Sequence, residues 1–112
     1  MDIRNTVATF MARVIGLDVI DLDCNGFICA YDGNSKEIVL ACPREVRCGE
    51  FDIDEEPVDR HSFEKALDEF ITKHKDNKYI FNSYARCDII SILMVSNGSG
   101  LVRHTVDHQF GR

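Results

Sequence analysis

The chain has no tryptophan, only two prolines and no CxxC pair, and no stretch approaches the ~20 apolar residues of a membrane-spanning helix. The missing apolar run argues against a membrane protein. Five cysteines (Cys24, Cys29, Cys42, Cys48 and Cys87) cannot all pair, so a complete disulfide framework is not expected. Basic residues are in deficit. Thirteen Lys and Arg stand against nineteen Asp and Glu, and the net charge of −6 repels a phosphate backbone unless the cations gather on one face. The first six residues, Met1-Asp2-Ile3-Arg4-Asn5-Thr6, lack the apolar core and small-residue cleavage site of a secretory signal. The expected setting is cytoplasmic, with reduced thiols.

What is present suits one domain spanning 1–112, with 45% apolar and 29% charged residues. Ile3, Val7, Phe10, Met11, Val14 and Ile15 recur at helical steps, and Gly16 supplies a stop. Residues 18–22 read as a strand. Asn25-Gly26 then marks a turn into a second strand at 27–31, and Asp32-Gly33-Asn34-Ser35 a turn into a third at 37–42, which Pro43 is expected to end. Residues 48–60 carry six carboxylates but lack the ligand spacing and central glycine of an EF-hand loop, so they read as a solvated loop. Ser62 is the expected cap of a second helix with Phe63, Ala66, Leu67, Phe70 and Ile71 as its stripe. The apolar run 87–95 reads as a central strand and 101–106 as an edge strand. The expectation is an α/β domain with a mixed central sheet of about five strands flanked by helices, in the order α-β-β-β-α-β-β.

This order, with Gly16-Leu17-Asp18-Val19-Ile20, Asp32-Gly33, Arg86-Cys87-Asp88-Ile89-Ile90-Ser91-Ile92 and Val106-Asp107-His108-Gln109-Phe110, resembles the YraN-like family of small endonuclease-like proteins. The resemblance implies a restriction-endonuclease-like fold. It also implies a catalytic set of Gly-Glu-(Ile/Leu)-Asp in the second strand and Val-Glu-Val-Lys in the third, whose carboxylates would hold a divalent cation that activates water. Anchored on Asp32-Gly33, those positions hold Asn25 and Phe27, then Cys42 and Arg44. Phenylalanine cannot ligate Mg²⁺, and a thiolate is a poor ligand for so hard a cation. The leading expectation is therefore a non-catalytic nuclease-fold domain that binds nucleic acid or protein, with no cofactor and no metal site. The alternative is a Mg²⁺-dependent endonuclease with relocated carboxylates, drawn from Asp21, Asp23, Glu37 or the acidic loop.

Arg44, Arg47, Arg60 and His61 are the candidate ligand-binding residues, because they flank the third strand and the start of the second helix. With Arg86 they could form a basic mouth for a DNA or RNA end; the competing reading pairs each arginine with a nearby acid such as Glu45, Glu50 or Asp88. A zinc or redox role for Cys42 with Cys24 or Cys29 is a third option, against which the absent paired spacing counts. Cys24 and Cys29 would face opposite ways if one strand held both. His104 and His108 stand four apart on or beside a strand, without the Glu of a helical zinc motif, and read as ordinary edge histidines. The edge at 101–106 could also take a protein partner or a second copy.

Overall fold

The computed structural model describes residues 3–46, 56–77, 80, 83–94 and 100–110. Helix α1 (Arg4–Phe10) runs into a π-helical turn (Met11–Ile15) that ends at Gly16, whose φ of 81° is the left-handed conformation glycine adopts readily. Strands β1 (Asp18–Cys24), β2 (Phe27–Asp32) and β3 (Glu37–Val46) form an antiparallel meander. Helix α2 (Arg60–Lys73) then crosses to β4 (Tyr84–Met94), which pairs parallel to β3, and β5 (Gly100–Thr105) closes the sheet antiparallel to β4. The spatial order is β1-β2-β3-β4-β5, a mixed five-stranded α/β sheet. No helix among the described residues is long and apolar enough to cross a membrane.

The central strands β2, β3 and β4 bury both faces, which explains their nearly continuous apolar runs. Phe27, Cys29, Ile38, Leu40, Cys87 and Ile89 pack toward α2, against Phe63, Ala66 and Phe70. Ile28, Ala30, Val39, Ala41, Ile90 and Ile92 pack on the other face against Val7 and Met11 of the first helix. The tight β1–β2 turn uses left-handed Asn25 (φ 51°) and Gly26 (φ 88°), the conformation expected of an Asn-Gly hairpin.

Three local expectations need correction. The first helix does not keep one stripe through residue 15, because the wider π turn adds a residue per turn and rotates Val14 into solvent at 71% exposure. Pro43 does not end β3. Its partner β2 begins at Phe27, so beyond Cys42 the strand pairs with β4 alone, and such a one-sided position tolerates a proline's missing donor. The cap of α2 is Asp59, not Ser62; its carboxylate accepts from the Ser62 amide at 3.1 Å and the Ser62 hydroxyl at 2.9 Å. Ser62 is the capped residue, three positions into the helix.

Candidate functional site

The positions matched to the family motif gather on the α2 face. Asn25 leaves β1 and donates to the Ser62 carbonyl at 3.2 Å, tying the first hairpin to the start of α2. Phe27 is buried, edge-on to Phe63 with 6.2 Å between ring centroids. Cys42 is half-buried against the same core, and Arg44, two residues along β3, donates to the carbonyls of Glu56 and Pro57. The arrangement can pack apolar side chains and fix the loop entering α2. A hard divalent cation finds no carboxylate at these four positions.

Among the described residues, the candidate cations divide between the two faces of the sheet. Arg60 is exposed, 3.7 Å from Glu64 and stacked 5.7 Å above the Phe110 ring, while His61 is exposed beside it. Arg47 lies outside the described residues, as do Cys48 and residues 50–55 of the acidic loop. Arg86 faces the opposite side of the sheet, with Asp88. Its Nε donates to Asp88 Oδ1 at 3.1 Å, and its Nη1 reaches Asp32 at 3.1 Å, Glu37 at 3.3 Å and Ser35 at 3.4 Å. Arg86 with Asp88 and Arg60 with Glu64 pair as the neighbouring-acid reading anticipates, whereas Arg44 is held by backbone carbonyls.

Around Asp88 the chain builds its most polar interior. Asp88 is fully buried and accepts from Arg86, from His104 Nε2 at 2.8 Å and from the Asp107 amide at 3.0 Å. Burial alone would push its carboxyl up, but the bonds from His104, Asp107 and Arg86 outweigh it and hold the group below the usual carboxylate value. His104 is therefore not an ordinary edge histidine: it is half-buried, edge-on to Phe10, and fixed on an ionised acid. Sequence spacing missed this cluster because bonded partners within it lie up to 54 residues apart. A signal was available, since two charges on one face of an otherwise apolar strand must find partners.

Among the described residues, the acids proposed as relocated ligands are dispersed. Asp21 contacts Lys73 at 3.4 Å and accepts from the Cys24 thiol at 3.2 Å, Asp23 pairs with Arg4 at 3.1 Å, and Glu37 belongs to the Arg86 cluster. Among the described residues no group of three His, Cys, Asp or Glu side chains is placed to hold a metal. Cys24 and Cys29 sit on separate strands, one on each side of the Asn25-Gly26 turn, and face the same core. Burial, with Asp21 nearby, pushes the Cys24 thiol up to about 11; burial raises Cys29 further, the reverse of an activated thiol.

A cleft of about 280 Å³ opens on the α2 face between the first turns of α2, the start of β4 and the C-terminal segment. Arg60, Phe63 and Glu64 form one wall, Ala85 and Cys87 its floor, and the segment from Asp107 to Phe110 its roof. Comparison of the chain with protein-family models, curated proteins and solved structures gives no match.

Proposed function

We propose that this chain is a restriction-endonuclease-like domain that lacks the cleavage chemistry and serves as a binding module for nucleic acid or protein. The order of a helix, an antiparallel meander, a crossover helix and a parallel strand supports that scaffold. The observation that carries the functional reading is the content of the motif positions: Asn25 bonded to Ser62, Phe27 buried on Phe63, Cys42 at the core edge and Arg44 held by two carbonyls. Of the acids that could rebuild a water-activating metal site, Asp21, Asp23 and Glu37 are each engaged with a cation elsewhere, and residues 50–55 of the acidic loop lie outside the described residues. Buried, protonated thiols suit the reducing, cytoplasmic setting we assign it.

The test is binding to duplex, branched and single-stranded DNA with Mg²⁺ at two salt concentrations, read together with cleavage. If Arg44, Arg47 and Arg60 contact phosphates, affinity falls roughly 40-fold between 50 and 200 mM salt, as release of about three counterions requires. Salt-sensitive binding without cleavage supports a nucleic-acid module. Absence of both assigns the module to a protein partner, and metal-dependent cleavage by the pure protein would falsify the non-catalytic reading.

A further inference from the structure

Strand β4 is longer than its partner on one side. Strand β3 pairs with it from Tyr84 to Leu93, whereas β5 pairs only from Ile89 to Met94. Past Thr105 the chain kinks at Asp107, whose φ is 53°, and its next amide makes one more rung, His108 N donating to Cys87 O at 2.6 Å. Among the described residues no strand pairs with Tyr84, Ala85 or Arg86 on that side, and Tyr84 is 85% exposed. Ala85 and Cys87 point into the cleft described above, whose roof holds Phe110 against Phe63 at 5.1 Å and beneath Arg60. The Val58 amide donates to His108 Nε2 at 3.4 Å, so the tail also contacts the segment leading into α2.

We propose that the edge of β4 from Tyr84 to Cys87, with its cleft, is a docking site for an extended segment of a partner protein bearing an aromatic side chain, and that Asp107–Phe110 is a built-in competitor. The tail displays the chemistry the site takes: a strand-like amide on Cys87 O and an aromatic ring between Phe63 and the Arg60 guanidinium. An added strand continues the β4 ladder and sends alternate side chains into the cleft. Being part of the same chain, the tail competes at an effective concentration of about millimolar, so a partner must match its contacts and extend them along the open rungs. This rests on the reading of the chain as a binding module.

The probe is a synthetic peptide of residues 106–110, Val-Asp-His-Gln-Phe, titrated into isotope-labelled full chain while the Ala85 and Cys87 amides are followed by NMR. Phe110→Ala empties the slot, and the peptide is expected to bind this variant at least about tenfold more tightly than the wild type, because a competitor closing the site lowers apparent affinity by the open fraction. A peptide with Ala in place of Phe should lose binding. Equal affinity for both proteins, or no binding to folded Phe110→Ala, overturns the proposal. Should the variant fail to fold, hydrogen exchange on the wild type decides: a His108 amide exchanging about 100-fold faster than Ile90 supports a separable tail, and matched rates overturn it. Metal-dependent DNA cleavage refutes the binding-module reading separately, whatever the peptide does.

Discussion

Replacing Asp88 with alanine removes one acid from an interior that holds a guanidinium and an imidazole against it. Arg86 is only 9% exposed and loses the partner of its Nε; His104 and the Asp107 amide lose their acceptor as well. Asp32 and Glu37 still face Arg86 Nη1, so its charge is not wholly orphaned. Removing one member of a buried ion pair costs roughly 3–5 kcal/mol, and the surviving acids place Asp88→Ala near the lower figure of about 3 kcal/mol. For a domain of this size the midpoint falls about 4 °C per kcal/mol, a loss of about 12 °C in thermal unfolding followed by far-UV circular dichroism. The double variant Arg86→Met, Asp88→Leu should cost clearly less than the sum of its single changes, since apolar replacements leave no buried charge at those two positions. The wild type should also lose stability in acid. The Asp88 carboxyl lies below its reference value of 3.8, so its contribution is complete above that pH and disappears as pH falls through the lower folded value. Asp88→Asn should flatten this acid limb. A loss under about 1 kcal/mol for Asp88→Ala, or an unchanged acid limb in Asp88→Asn, would refute the assignment of Asp88 as the centre of a structural ionic network.

Gly26→Ala should destabilise the domain by about 1 kcal/mol through the left-handed backbone alone, because a Cβ there meets nothing within 4 Å. A neutral result in urea unfolding would show that the turn relaxes to another type. Cys24 and Cys29 should react with an aromatic disulfide reagent at pH 8 far more slowly in the native chain than in urea. Their raised folded values add stability that erodes as pH climbs above the reference value of 9.0, toward about 11 for Cys24. Native reaction at the rate of an exposed thiol would contradict their burial.

Much of the fold is legible because its signals are local. Asn25-Gly26, the continuous apolar run of β2 and the stripe of α2 each reflect neighbours within a few residues, and each forms as its pattern requires. The errors arise where a second element decides. Pro43 reads as a terminator until β2 is seen to leave that side of β3 open. Asp59 and Ser62 are both competent caps, and the choice depends on where the chain leaves its extended conformation, with Asp59 at φ −67° and ψ 121°. The candidate site was legible only as a lack: the motif positions do meet on one face, but the cations expected to ring them divide between two faces.

The length of α1 explains why the hidden charges lie at one end of β4. On the face opposite α2, that strand presents Tyr84, Arg86 and Asp88 and then Ile90 and Ile92. The cover on this face is seven helical residues and a five-residue π turn, together roughly 18 Å long, against roughly 36 Å for the strand. A cover half the length of the strand can keep only one end of its face dry with apolar contacts, and Val7 and Met11 do so at Ile90 and Ile92. The other end must be wet or internally neutralised. The β2–β3 hairpin supplies Asp32 and Glu37 for Arg86, β5 supplies His104 for Asp88, and the kink at Asp107 turns its amide onto the same carboxylate. The kink that completes the ionic cluster on one face also carries His108 and Phe110 onto the other, coupling the buried acid to the roof of the cleft. Asp88→Asn should therefore loosen the tail, with the His108 amide exchanging faster than in the wild type while the Ile90 amide follows only the change in global stability.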